Sequence, residues 1–370
     1  MNPLPHPIGI LGMGSYLPSG VRSNETVAAA AGVSPGWITE RTGVRRRHVA
    51  APGEASSDLA ARAVQAACLA AGIGPADLGL LIVATSTPDE LGPATACRVQ
   101  ALVAAERATA LDVSAACSGW LFAAKVAHDW LRADPGTGYA VVVGVEAYSK
   151  FIDPADRGTA VLFADGAAAA VLGPVEEGGG FHGFRLGSDG RGAHHVLIPA
   201  GGSRRPADPA TLADGGHRIR MDGRAVRDFI VAVFPRLVAE SLAEHDLKLD
   251  AIDAVIAHQP NPVLLRRLGG EIGIPAERLI VTGERTGNIG AASAPFALTA
   301  AAAGGALPAR ARILVCVFGA GLTWGRTLLT WSGAPGIALT GPPPPPAPPP
   351  PPQPPAGRAT DRRTSKKESS

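Results

Sequence analysis

The chain predicts an α/β protein built from two halves that repeat one another, and three observations lead there. Short apolar runs of strand type alternate with alanine-rich helical stretches from end to end. Residues 80–86 and 252–259 are apolar strands that open into a polar loop, then a helix, a second strand, a small-residue junction and an alanine-rich helix. The two copies lie about 170 residues apart, the mark of a duplication rather than a solenoid. Of the 370 residues 46% are hydrophobic, enough for a large core or two fused half-domains. The alternation predicts mostly parallel sheet.

Residues 8–13 begin a strand that breaks at Gly14 and Pro18, and short helices follow over 24–31 and 35–41, the second ending at Gly43. Ser56, Ser57 and Asp58 cap a helix running to Ala71, and Gly72 closes it. A buried-type strand at 80–84 leads through a polar loop to a helix from about Pro93 to Ala105. The strand at 109–113 stops at small residues, and a helix opens at once with Trp120, Leu121 and Ala124. After a strand at 139–145, residues 160–172 read as strand, loop, strand around Ala164-Asp165-Gly166. Residues 178–216 read as two short strands and a long surface excursion, the kind of stretch that often carries function.

A helix over 222–245 contains Pro235, which is expected to kink it. Strand 252–257, helix 263–272, strand 278–282, helix 288–303 and strands 312–318 and 323–331 follow. Residues 1–174 therefore form one half with a candidate nucleophilic cysteine, and 175–333 a second half with a histidine and an asparagine. Residues 334–370 form a proline-rich tail, expected to be disordered, whose proline run favours a polyproline II rod with no core.

The totals exclude several classes. Net charge is +2, and residues 357–370 carry five basic side chains against two acidic, so no basic field on the globular part argues for nucleic acid. Cys68, Cys97, Cys117 and Cys316 form neither a disulfide framework nor a metal-binding pair. A reduced, cytoplasmic protein is expected. Residues 1–7 lack a charged region followed by an apolar one, so no signal peptide is expected, and the longest apolar stretch, 291–307, is too short and alanine-rich to span a membrane.

Three short motifs carry chemistry together. In Ser114-Ala115-Ala116-Cys117-Ser118-Gly119 a cysteine sits at a strand-to-helix junction, where unpaired N–H groups and the helix dipole favour a thiolate. His258-Gln259-Pro260-Asn261 ends a strand, and Gly287-Asn288-Ile289-Gly290 starts a helix. Taken singly, these suit a buried core cysteine, a hydrogen-bonded loop histidine and an N-cap. Two pseudo-equivalent halves facing each other bring the junctions to one central site.

With these motifs the chain resembles β-ketoacyl-acyl-carrier-protein synthase III, a condensing-enzyme family of the thiolase fold. The match runs from Ile8 to Trp331 and includes Trp37-Ile38-Thr39-Glu40-Arg41, Asp156-Arg157-Gly158-Thr159, Leu162-Phe163-Ala164-Asp165-Gly166 and Phe318-Gly319-Ala320-Gly321. The resemblance implies a layered αβαβα fold of two pseudo-duplicated halves and an acyltransferase of the ketoacyl synthase III type. Cys117 would take an acyl group from acyl-CoA, and malonyl-acyl carrier protein would then condense with it by a decarboxylative Claisen reaction.

It further implies an oxyanion hole from the backbone N–H groups of Cys117 and Ala320, with His258 and Asn288 donating to the thioester oxygen as enolate charge develops. Trp37 and Arg157 would sandwich the adenine of CoA, Arg41 would reach its nucleotide, and Gly223 and Asn261 would line the pantetheine tunnel. The family is homodimeric and uses CoA thioesters as substrates, with no cofactor or metal. Gly92 stands where the family often has a bulky residue crossing the dimer interface into the partner's acyl pocket, so a starter larger than acetyl is expected. Pro262-Val263 replaces a basic residue often used for docking the carrier protein. The alternative activity is acyl transfer to a carrier, hydroxyl or amine without carbon–carbon bond formation. Relatives of that kind often change the residue at the Asn288 position.

Overall fold

Two β-sheets, each covered by helices on its outer face, enclose two further helices between them. The structure is a computed structural model and describes residues 6–341. In chain order the first half runs β1 (Ile8–Pro18), β2 (Gly20–Ser23), α1 (Asn24–Ala31), α2 (Pro35–Thr42), β3 (Arg46–Val49) and α3 (Ser56–Ala71). It continues with β4 (Leu78–Ala84), α4 (Thr95–Val103), β5 (Thr109–Val113), α5 (Gly119–Ala133), β6 (Tyr139–Ala147) and β7 (Asp165–Pro174). Then come β8 (Gly180–Ser188), β9 (Val196–Leu197), α6 (Pro209–Ala213), β10 (Arg220–Met221), α7 (Gly223–Glu244), β11 (Ala254–Ala257) and α8 (Pro262–Glu271). β12 (Leu279–Ile280), α9 (Gly283–Thr286), α10 (Ser293–Ala303), β13 (Arg312–Gly319), β14 (Thr323–Thr330) and β15 (Gly336–Gly341) complete it.

The first sheet has the order β15-β1-β7-β6-β4-β5 and the second β12-β11-β13-β14-β8. Without β15 the two follow one plan. β4 pairs in parallel with β5 and β6, as β11 does with β12 and β13, and an antiparallel strand follows in each (β7, β14). The sheets are thus mixed rather than mostly parallel, because the chain returns antiparallel from β6 to β7, over residues 148–164, and from β13 to β14, over residues 320–322. α3 and α4 pack on the outer face of the first sheet, α7 on that of the second, and α5 and α10 touch both sheets.

This middle position explains the composition. A helix caught between two sheets needs small side chains on every side, and α10 is alanine-rich and almost wholly buried. Trp120 and Leu121 of α5 share a core with Ile82, Ile256 and Leu298, and Trp120 Nε1 donates to the Val142 carbonyl at 3.3 Å. Separate cores lie under α3 and under α7.

The tail expectation is corrected at its start. Gly336–Gly341 is β15, paired in parallel with Met13–Pro18 of β1, so the chain's last described strand completes the first half's sheet. The six residues abut the proline run and read as linker, whereas an outer sheet position needs only modest alternation. The proline-rich residues from 342 onward lie outside the described residues. Residues 160–164 are also corrected: they form turns, and β7 begins at Asp165. Asp165, fully buried, takes the backbone N–H groups of Ala50 and Ser149 at 2.7 Å each, which stops the turn from extending as strand.

Candidate active site

Cys117 lies on one turn of 3-10 helix (Ala116–Ser118) between β5 and α5. Ala116 before it takes a left-handed conformation (φ 47°) that turns the chain out of the strand. Gly319, the last residue of β13, packs on this turn. A Cβ there would stand 2.8 Å from the Cys117 nitrogen and 3.1 Å from its Cβ, so the close approach requires glycine. Thr323 Oγ1 lies at hydrogen-bond distance from both the Ala115 carbonyl (3.1 Å) and the Ala320 carbonyl (3.0 Å), joining the two loops. The N–H groups of Cys117 and Ala320 enter none of the turn and loop hydrogen bonds around them.

His258 follows β11 directly, and its N–H donates to the Cys316 carbonyl (3.0 Å), extending the pairing with β13 by one residue. The ring stands edge-on to Phe318 at 5.6 Å, with Nδ1 buried and without a hydrogen-bond partner among the described residues. Burial pushes its pKa down to about 3, so the imidazole is neutral at physiological pH and holds one N–H to donate. Asn288 is anchored across the halves: its N–H donates to Leu162 (2.8 Å) and its carbonyl accepts from Ala164 (3.0 Å). Its Oδ1 accepts from the Gly290 N–H at 3.0 Å, which leaves the NH₂ as the donor end.

Cys117, His258 and Asn288 line one cavity of about 860 Å³. Residues 117, 258 and 288 thus meet from three loops of a duplicated fold. The thiolate expected at the helix start is corrected. Burial, and secondarily the Glu146 carboxylate, push the thiol up to about 12; the Cys117 backbone N–H and the Tyr148 hydroxyl only partly oppose them.

Glu146, Tyr148 and Ser86 were not singled out from the sequence. Glu146 is fully buried at the end of β6 and accepts from Ser86 N (3.1 Å), Thr87 Oγ1 (3.0 Å) and Ala291 N (3.4 Å). Burial raises its pKa to about 8 against these donors. Tyr148 and Ser86 line the cavity with Cys117, and the Tyr148 hydroxyl interacts with Glu146, Ser86 and Cys117. The one signal in the sequence is a lone carboxylate inside the apolar run 139–147, since an unpaired buried charge is costly.

The other expected residues divide. Arg41 and Gly223 line the cavity mouth. Asn261 lines it too, but its side chain is engaged: Oδ1 caps α8 through Leu264 N (2.9 Å), and Nδ2 donates to the Arg41 carbonyl (3.0 Å). It ties α2 to α8 and so positions Arg41. Trp37 is half-buried against a cluster that includes the cavity-lining Phe163, Ile219 and Met221, and Arg157 is exposed; neither lines the cavity itself. Gly92 is exposed, with nothing within 4 Å of where a Cβ would be, and lies away from this chain's cavity. The sequence reading assigned it to a neighbouring protomer's pocket, so its distance from its own is no contradiction. Among the described residues no cluster could hold a metal ion and no helix is long and apolar enough to cross a membrane.

Two family models match the chain: 3-oxoacyl-(acyl-carrier-protein) synthase III over residues 111–190, and its C-terminal domain over 242–331. A β-ketoacyl-(acyl-carrier-protein) synthase III of Symbiobacterium thermophilum is 42% identical over 332 residues, 88% of this chain and 98% of its own. An acetoacetyl CoA synthase, NphT7 of Streptomyces sp., is 41% identical over 329 residues, covering 87% and 98%. Among solved structures, the priming β-ketosynthase of the R1128 polyketide pathway superposes with a TM-score of 0.83 at 31% identity, covering 90% of this chain and 99% of that one.

Proposed function

The chain belongs to the 3-oxoacyl-(acyl-carrier-protein) synthase III family, and from that membership we propose how its own residues carry the reaction. It is a condensing transferase: an acyl-CoA primes it, and a malonyl unit condenses with the acyl group, losing carbon dioxide, in fatty-acid or polyketide synthesis. The observation that carries the residue roles is the convergence of Cys117, His258 and Asn288 on one cavity from distant parts of the chain.

The Cys117 sulfur attacks the thioester carbonyl and forms a carbon–sulfur bond. The thiol proton departs with the CoA sulfur as the old bond breaks. The tetrahedral oxyanion is held by the Cys117 and Ala320 N–H groups, neither of which donates in the turn and loop backbone hydrogen bonds among the described residues. After CoA leaves, the malonyl thioester enters, its carboxylate departs as carbon dioxide, and the electron pair moves onto the thioester oxygen. Asn288 and neutral His258 donate to that oxygen. The enolate carbon then attacks the acyl carbon and expels the Cys117 thiolate. A charged imidazolium is not needed, which fits a histidine too buried to protonate.

Arg41, Arg227 and Arg267 at the mouth suit the phosphates of CoA or of a carrier-protein arm, and Trp37 and Arg157 are kept as candidate adenine contacts on the surface beyond it. One relative is named for a CoA-bound product, so the acceptor assay should present malonyl on both CoA and carrier protein. The assembly is a homodimer: β5 is an unpaired sheet edge, and Leu91, in the segment between β4 and β5, is 85% exposed.

The test is intact-mass measurement after incubation with acyl-CoA thioesters. An acyl adduct is expected on the wild type and absent from Cys117→Ala. Carbon dioxide release on adding the malonyl acceptor should follow, falling on the order of 10²–10³ in Asn288→Ala. Adduct transfer without carbon dioxide release would leave simple acyl transfer as the activity.

A further inference from the structure

Arg47 of β3 is fully buried. A guanidinium so placed normally meets a carboxylate, because an apolar side chain would otherwise be cheaper there. This one instead spends its donors on a backbone carbonyl: Nε (3.0 Å) and Nη2 (2.5 Å) both donate to Val161, and Nη1 donates to Asn24 Oδ1 at 2.6 Å. Asn24 is fixed in turn, its Nδ2 donating to Thr39 Oγ1 (2.9 Å) and to the Val44 carbonyl (3.0 Å). Burial, and secondarily the nearby Arg22, lower the pKa of Arg47 to about 10, which still leaves it charged at neutral pH.

The gripped carbonyl adjoins the anchor of Asn288. The next residue, Leu162, accepts the Asn288 N–H at 2.8 Å, and the Ala164 N–H donates back to the Asn288 carbonyl at 3.0 Å, a bridge between residues 163 and 288. Arg47 also packs against the residue before Asn288: a Cβ on Gly287, at φ 75°, would stand 3.1 Å from Arg47 Cγ and 2.8 Å from the Ala164 Cβ. Its strand neighbours hold the same segment, the Arg45 N–H donating to the Glu284 carbonyl (2.9 Å) and Arg46 Nε to the Arg285 carbonyl (3.3 Å). The Cys117 turn is built from other elements, β5, α5 and the end of β13. We propose that Arg47 is the positioning residue of Asn288: its two-pronged grip on Val161 fixes the 161–164 turn against which the Asn288 amide is set toward the enolate oxygen. The proposal rests on the role given to Asn288 above.

The experiment separates the two half-reactions by rapid quench. Cys117 acylation is read by intact mass, which also counts competent sites, with whichever of acetyl-, isobutyryl- and octanoyl-CoA loads fastest. Carbon dioxide release is then read from the acylated enzyme at saturating malonyl thioester, on CoA or carrier protein, whichever the wild type turns over faster. Arg47→Lys keeps the charge but cannot hold one carbonyl through two nitrogens, and a misplacement of about 1 Å costs about 100-fold. It should lower carbon dioxide release per acylated site by at least about tenfold, with acylation within about threefold of wild type. In an Asn288→Ala background the same substitution should change release by less than about threefold, because residues acting through one another are not additive. Should Arg47→Lys fail to fold, Asn24→Ala, which leaves Arg47 in place and removes the acceptor of Nη1, carries the same test with a fall of at least about threefold. Unchanged release, or equal falls in both half-reactions, overturns the proposal and leaves Arg47 to the fold alone. So does a fall of the same size with and without Asn288, which would assign the effect to another group. If Asn288→Ala by itself leaves release unchanged, the role given to Asn288 fails, and the proposal with it.

Discussion

At the residue scale the site is a set of groups held in their neutral forms by burial. Cys117 is pushed up to about 12, His258 down to about 3 and Glu146 up to about 8. Glu146 gives a pH test with a definite sign. Its folded value lies above its ordinary 4.5, so the folded state keeps a proton that the unfolded chain gives up. That contribution is complete below pH 4.5 and is lost as pH rises through 8. Wild-type stability should therefore fall across this window with a slope of up to ~1.4 kcal/mol per pH unit from this group. Glu146→Gln cannot titrate and should show a flatter profile in urea midpoints at pH 5.5, 7 and 8.5. Parallel profiles would mean that Glu146 ionises as freely in the fold as outside it. Cys117, His258 and Asn288 were legible because each stands at a strand or helix end inside a short motif. Glu146 and Tyr148 were not, because a strand that enters the core shows no spacing to mark where its last residues meet another loop.

At the scale of elements, the nucleophile turn depends on the end of β13. Ala at 319 would place its Cβ 2.8 Å from the Cys117 nitrogen, against backbone that cannot rotate away. Gly319→Ala should lower the acylation rate by about 100-fold through displacement of the oxyanion donors, and cost about 1–3 kcal/mol of stability from overpacking. Acylation kinetics and a melting curve check both, and an unchanged rate would show that the two loops are not in register for catalysis. Helices and strands with strong periodicity were legible to within a few residues, as α3 and β5 illustrate. α10 begins at Ser293 rather than 288, because Asn288 is drawn into pairing with Leu162 and Ala164, a contact more than a hundred residues away. β15 was missed for the same kind of reason: its partner is the first strand of the chain.

On the scale of the whole molecule, duplication was visible as a faint echo in sequence and is plain in the strand orders. Assembly is the prediction that belongs here. The free edge of β5 and the exposed side chain of Leu91 lie in or beside the segment joining β4 to β5. A homodimer is expected by light scattering at micromolar concentration, and Leu91→Asp should weaken it by at least about tenfold. A wild-type monomer under those conditions would remove the dimer and with it any role for Gly92 in a neighbour's pocket.

β15 carries a consequence for how the protein is made. β1 leaves the ribosome more than 300 residues before β15, one of its two sheet neighbours. Until residue 341 has emerged, one edge of β1 stays open from Met13 to Pro18, and the nascent sheet can pair there with other chains. Termination within 336–341, about 30 codons before residue 370, would leave every active-site residue in the product and still lengthen the life of that open edge. Such chains should be lost to aggregation during synthesis more than to impaired chemistry.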